Sequence, residues 1–240
     1  MKISIHLGVT NPETNQFAYL EAIRSYCDLA DEVVIVDGGT TDGSIEKIRA
    51  ISDKIRVVQF PWPQDHWTWD QFGRTLNAGY KECTGDWAIK VDLDYVFHEK
   101  NIPKLRETLE AYLNAPIPPA LVQLDKYQFM LADRYFPKAK MPLIVNKRDY
   151  GDKIAWGVGF DDIDFSFPVE VKGMIKGLEY GSSARHWGNL IQNGGCPIYC
   201  YDLTFMTEDL LSKRRPGYDE AKARFMFPQN GEKYAKGLVS

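Results

Sequence analysis

Three stretches of this chain are apolar with little interruption, and each runs directly into acidic or hydroxyl-bearing residues. They are Lys2–Val9 before Thr10-Asn11, Val33-Val34-Ile35-Val36 before Asp37-Gly38-Gly39, and Trp87–Leu93, which carries Asp92 and ends at Asp94. A strand without polar alternation is one buried on both faces, as in a parallel sheet. Between these runs the apolar residues change to helical spacing: Phe17, Leu20, Ile23 and Cys27, then Ile45, Ile48 and Ile51, then Phe72, Leu76 and Tyr80. Asp42-Gly43-Ser44 can cap the second helix, Gly85 breaks the third, and Pro61 and Pro63 stop a further strand over Ile55–Phe60. Strands alternating with helices predict an α/β fold, a mostly parallel sheet flanked by helices. Such sheets bind ligands at the carboxyl ends of their strands, which singles out Thr10-Asn11, Asp37-Gly38 and Asp92–Asp94.

Beyond residue 100 the pattern loosens. A helix is expected over Ile102–Leu113 and a strand over Ala120–Met130, separated by Pro116-Ile117-Pro118-Pro119. From Pro142 to Tyr201 the abundance of Gly, Asp and aromatics predicts loops and short strands around a site. Trp62, Trp67 and Trp69 read as an aromatic loop, and Lys213-Arg214-Arg215 opens a charged, helical tail. The expected organisation is one domain over 1–240, with a nucleotide-type half over 1–100 and an irregular half with a C-terminal tail over 101–240.

Composition narrows the function classes. The chain has 240 residues, 44% hydrophobic and 26% charged, with a net charge of −4, so no nucleic-acid partner is expected. No run of about 18 apolar residues spans a membrane, and Met1–His6 does not open a signal peptide. The four cysteines are therefore expected as reduced thiols in the cytoplasm. Cys196 and Cys200 either share a metal or disulfide or serve as small apolar residues, the last being the preferred reading.

The segment Gly85-Asp86-Trp87-Ala88-Ile89-Lys90-Val91-Asp92-Leu93-Asp94 carries the most chemistry. In an extended chain, residues two apart project to one side, so Asp92 and Asp94 would present their carboxylates together. Two such charges oppose one another unless a cation lies between them, and hard oxygens suit Mg²⁺ or Mn²⁺. The alternative is that both simply open a solvated turn.

These residues resemble a known family. Val33–Ser44, reading VVIVDGGTTDGS, together with Arg74-x-x-Asn77, Ala78-Gly79 and the Gly85–Asp94 block, is similar in order and spacing to the family 2 glycosyltransferases of the GT-A (Rossmann-like) fold. The similarity covers roughly the first 100 residues. It implies a metal-dependent, inverting enzyme that moves a sugar from a nucleoside-diphosphate sugar, a UDP- or GDP-sugar, to a saccharide or other hydroxyl acceptor. By the same resemblance, Asp37 contacts the nucleobase, with Thr10 and Gly38 lining its pocket. Asp92 lies near the ribose, and Asp94 is the chief ligand of a Mn²⁺ or Mg²⁺ ion that Asp92 helps to hold. Arg74, with Asn77 on the same helix face, either neutralises the diphosphate or pairs with an acid.

The resemblance also implies a downstream histidine as a further metal ligand, for which His186 is the candidate among His6, His66, His98 and His186. Many relatives carry a His-Tyr pair near the position of Tyr199-Cys200-Tyr201; Cys200 stands there in this chain. Trp156–Phe165 resembles the family's WGxGEDxEF segment with one residue inserted at Phe160. The general base then maps to Asp162, with Asp161 and Asp164 as rivals, and Trp156 stacks on the acceptor sugar. Lys213-Arg214-Arg215 reads as an exposed charge run, with diphosphate contact or peripheral membrane contact as its alternatives. A nucleotidyltransferase is the rival reading. The chain lacks the Gly-rich basic loop that class carries after its first strand. A non-catalytic sugar-binding protein of the same fold is the third.

Overall fold

The computed structural model describes residues 1–63, 69–130, 135–151, 154–156, 165–166 and 199–205. The first strands and helices alternate as expected: β1 (Ile3–Val9), α1 (Tyr19–Leu29), β2 (Glu32–Asp37), α2 (Ser44–Arg49), β3 (Ile55–Gln59), α3 (Trp69–Glu82) and β4 (Trp87–Lys90). Then come β5 (Tyr95–Phe97), α4 (Ile102–Leu113), β6 (Leu121–Met130), β7 (Tyr135–Asn146) and α5 (Lys147–Tyr150). The short strands β8 (Ala155–Trp156) and β9 (Phe165–Ser166) and then β10 (Tyr199–Phe205) complete the described set.

Eight strands form one sheet in the order β3-β2-β1-β4-β7-β6-β10-β5. The first four run parallel, with Val9 opposite Asp37 and His6 opposite Lys90. β7 joins β4 antiparallel and β6 pairs antiparallel with β7, whereas β10 is parallel to β6. Both faces of the parallel part are covered. Ile3, Ile5, Leu7 and Val9 of β1 pack with Tyr19, Ala22, Ile23 and Tyr26 of α1, Ile45 and Ile48 of α2, and Leu105 and Leu109 of α4. On the opposite face, Val34 and Ala88 meet Leu76 and Tyr80 of α3. Full burial of such side chains contributes about 1.5–3 kcal/mol each, and this double cover is why the strands are apolar throughout.

β5 belongs to the far end of that strand order, yet it follows β4 after only residues 91–94. Four strand spacings amount to about 19 Å in a flat sheet, more than the roughly 17 Å that five extended links can span. The sheet therefore curls back on itself. Phe97 of β5 accordingly lies against Tyr26 of α1, ring centroids 6.0 Å apart, and the Phe97 amide donates to Ser25 Oγ at 3.1 Å.

Several expected boundaries change. Trp69 lies in α3, not in the aromatic loop, and the helix expected from Phe17 begins at Tyr19, after the Phe17 amide closes a turn on the Pro12 carbonyl at 3.0 Å. Asp42 serves α2 from outside: its Oδ1 accepts from the Ser44 amide at 3.1 Å and hydroxyl at 2.6 Å, and Gly43, at φ +79°, takes the N-cap position. Residues 142–146, expected within a loop-rich region, complete β7. The fourth strand ends at Lys90 and not at Leu93, because ladder pairing with β1 stops at His6–Lys90 and with β7 at Ile89–Ile144.

Candidate nucleotide and metal site

Because β2 and β4 flank β1, the ends of all three strands meet at one edge of the sheet. The ends of β2 and β4, on either side of β1, stand two strand spacings apart, about 10 Å. The peptide that follows β1 carries Thr10, half-buried, and Asn11, whose positive φ of 42° turns the chain back. Asn11 Oδ1 accepts from the Thr41 amide at 2.8 Å, which ties the β1–α1 turn to the β2–α2 turn.

Asp37 closes β2 and is buried, 4% exposed. Its Oδ1 accepts from the amides of Gly39 at 3.1 Å and Thr40 at 2.8 Å, and its Oδ2 from Gln59 Nε2 at 3.1 Å. Three donors thus hold the carboxylate in place at the strand end. These bonds give Asp37 the role of a turn residue at the strand end. Gly38, next to it, is required for packing: a Cβ there would stand 2.6 and 2.7 Å from Cζ2 and Cδ2 of Trp62. The same indole lies 3.5 Å, at Cη2, from the place of a Cβ at Gly8 of β1, and the Trp62 amide donates to the Gly38 carbonyl at 3.2 Å.

α3 crosses this face closely because Gly79 sits over β1 and β2. A Cβ there would meet Val36 Cγ2 at 2.8 Å and His6 Cβ at 3.2 Å. On the same helix Arg74 is exposed and Asn77 half-buried. Beneath it His6 is fully buried, its ring 5.9 Å from that of Tyr80. Burial, with Lys90 and then Lys147 adding positive potential, lowers its pKa to about 3, so this imidazole is neutral. Cys83, nearby and buried, has its thiol pushed up to about 12 by the same loss of solvent.

The turn after β4 holds the acidic pair. Since the strand stops at Lys90, Asp92 and Asp94 are not consecutive members of one strand face, contrary to what the extended-chain spacing predicts. Both lie in the connection between β4 and β5, where the Tyr95 amide reaches the Asp92 carbonyl at 3.5 Å. Their environments differ. Asp94 is buried, 4% exposed, whereas the Asp92 side chain is 36% exposed. Asp92 is anchored twice: its carbonyl accepts from Tyr26 Oη of α1 at 2.5 Å, and its Oδ1 from Lys90 Nζ at 2.6 Å. Carboxylate oxygens at this turn are the donor type that a hard divalent ion takes, so Asp94 with Asp92 fits Mn²⁺ or Mg²⁺. Among the described residues no group of three or more His, Cys, Asp or Glu gathers around one point.

Lys90, Tyr26 and Trp62 are the site residues that sequence reasoning did not assign. Lys90 had a visible signal, as the one charge inside the Trp87–Val91 run. Tyr26 and Trp62 had none, being brought in by tertiary packing. His186, Asp161, Asp162 and Asp164, Cys196 and Lys213–Arg215 lie outside the described residues. The three aspartates fall in sequence between Trp156 and Phe165, which pair across β8 and β9. No helix among the described residues is long and apolar enough to cross a membrane.

A model of the family described as "Glycosyl transferase family 2" matches residues 18–160. Among solved structures, S. aureus TarS 1-349 is similar with 16% identity over 65% of this chain and 50% of that one, at a TM-score of 0.48. A mannosyltransferase from Pyrobaculum calidifontis, in complex with GDP-Man and Mn²⁺, has 11% identity over 65% and 48%, at 0.46. Glucosyl-3-phosphoglycerate synthase from Mycobacterium tuberculosis has 23% identity over 53% and 44%, at 0.36. The chain thus spans half or less of the length of each.

Proposed function

The chain belongs to glycosyl transferase family 2, and on that premise we propose that it is a metal-dependent, inverting glycosyltransferase. It would move a sugar from a UDP- or GDP-sugar to a hydroxyl acceptor, most simply a saccharide. The observation that carries this reading is the junction of three strand ends. There the buried Asp37, the Thr10-Asn11 turn and the Asp92–Asp94 turn share one edge of a parallel sheet.

In this reading the acceptor-only carboxylate of Asp37 takes an imide or amine proton of the nucleobase. Gly38 and Thr10 line that pocket, Asp92 faces the ribose, and Arg74 with Asn77 answers the diphosphate from α3. Asp94 holds the divalent ion, with Asp92 beside it and His186 as the downstream ligand. When bound, that ion supplies Lewis-acid stabilisation of the charge developing on the leaving diphosphate. Asp162, or its neighbours Asp161 and Asp164, removes the proton of the attacking hydroxyl. Trp156 offers the acceptor sugar an aromatic face.

The test is a panel of nucleotide sugars, read by calorimetry and by product analysis, with and without Mn²⁺. A UDP- or GDP-sugar should bind more tightly with metal, and nucleoside diphosphate should be released with inversion at the anomeric carbon. Asp94→Asn should remove the metal-dependent part of binding and at least about 10²-fold of the rate. Release of pyrophosphate would instead identify a nucleotidyltransferase, and binding without turnover a sugar-binding protein. Full activity of Asp94→Asn would refute the metal assignment.

A further inference from the structure

Where the backbone ladder between β1 and β2 ends, side chains take over its work. The last rung runs from the Gly38 amide to the Val9 carbonyl at 2.8 Å. Beyond it, polar links cross from the β1–α1 connection to the β2–α2 connection and the helix that follows. Asn11 Oδ1 accepts from the Thr41 amide at 2.8 Å, and the Asn11 amide in return reaches Thr40 Oγ1 at 3.4 Å. Asp42 Oδ2 accepts from the Thr14 amide at 3.0 Å, and Glu13 Oε1 from Lys47 Nζ at 2.7 Å. Stability alone does not ask for these links. Glu13, Thr14, Thr41 and Lys47 are exposed, and polar links between exposed groups add little to folding. Asn11 also takes a left-handed φ of +42°, a conformation that carries strain for residues other than glycine. What the links share is a location. They span the gap between the strand end that carries Thr10 and the one that carries Asp37-Gly38, about 5 Å apart as neighbours in the sheet. Asn11, half-buried and next to Thr10 in the chain, is the link nearest the strand ends.

We infer that Asn11 is a positioning residue for donor recognition: by holding the Thr41 amide, its carboxamide sets the gap between these two strand ends before any nucleotide arrives. The base end of the site is thus formed in advance, and no affinity is lost to ordering two loose connections. The link lies on the β2 side of β1, whereas the acidic residues follow β4 on the other side. Its loss is therefore felt by the base and not by the metal. The inference rests on the donor reading above and adds to it the group that keeps the base end in shape.

The test measures nucleotide affinity of the full chain by calorimetry, with UDP and GDP in the presence of Mn²⁺ and with UMP and GMP in its absence. Asn11→Gly accepts the left-handed φ without strain and removes only the carboxamide, so it should fold. It should bind whichever nucleotide wild type binds about five- to tenfold more weakly. The factor should be the same for the diphosphate with Mn²⁺ and the monophosphate without it. Asn11→Asp keeps an acceptor and tolerates the left-handed φ, and should restore affinity to within about twofold of wild type. A merely structural asparagine would lower Tm and leave the affinity of the folded protein unchanged. Amide exchange followed by NMR checks the link without a variant: in nucleotide-free wild type the Thr41 amide should exchange slowly, although its residue is exposed. With wild type binding UDP or GDP, any one of four results overturns this inference alone. They are wild-type affinity in Asn11→Gly, a loss confined to the diphosphate with Mn²⁺, no recovery in Asn11→Asp, or rapid exchange at Thr41. Failure of wild type to bind any of these nucleotides overturns the donor reading and this inference with it.

Discussion

His6 offers a test of the core beneath the site through pH. It is fully buried in β1, faced by Lys90 of β4, Lys147 of α5 and the ring of Tyr80 in α3. Burial first, then the two lysines, takes its pKa from 6.5 to about 3. In the unfolded chain the ordinary value returns, so between those limits the unfolded state binds a proton that the folded state excludes. The resulting stability is complete above about pH 6.5 and is lost as pH falls, with a limiting slope of about 1.4 kcal/mol per unit. From about pH 7 to about pH 5 the loss comes to about 2 kcal/mol. Carboxylates with depressed values, such as Glu32 and Asp149, titrate below that window and do not confuse it. Urea denaturation of wild type and His6→Gln near pH 7, 6 and 5 isolates the effect, since the amide does not titrate. Wild type should lose about 2 kcal/mol more than the variant across the window. Losses equal to within about 0.5 kcal/mol would refute the neutral, solvent-starved imidazole.

Two further substitutions probe the frame of the site. At Gly85→Ala the new Cβ would stand 2.7 Å from the Ser4 amide nitrogen and 2.9 Å from the Lys2 carbonyl oxygen, both backbone. Denaturation should show a loss of about 1–3 kcal/mol. Tyr26→Phe removes the hydroxyl that donates to the Asp92 carbonyl. It should cost about 1–2 kcal/mol in denaturation and, by calorimetry, weaken Mn²⁺-dependent nucleotide binding several-fold, whereas unchanged binding would free the turn from this anchor.

The parallel part of the sheet was legible because burial on both faces leaves a plain mark, the uninterrupted runs of β1 and β2. The placement of Asp37 followed from it, since a strand that ends must turn and the next residues are Gly38 and Gly39. β7 was not legible. Pro137 and Pro142 lie within it and argue against a strand, yet Gln123 pairs with Pro142 where the ladder with β6 shifts register, and Tyr127 pairs with Pro137. The end of β4 was misjudged for a similar reason: Val91 and Leu93 are apolar and buried, but they serve the core from a turn and not from a ladder. Lys90 was legible as an anomaly, a charge in an apolar run, although its partner depends on how the next two residues turn. Trp62 contacts Gly38 and Gly8 only after β3 has returned to the sheet, and no local spacing encodes that return.

Lys147 ties the junction of β7 and α5 to the end of α3. Its Nζ donates to the carbonyls of Tyr80 at 2.5 Å and Cys83 at 2.6 Å, closing the C-terminus of α3, while Asn146 before it is registered on Trp87 of β4. A fragment truncated near residue 100 would lose the cation that neutralises this helix end. It would also leave the inner edge of β4 open to pairing with another molecule. The apparent seam in the sequence is thus no place to cut: the amino-terminal motifs borrow their closing residue from well beyond it.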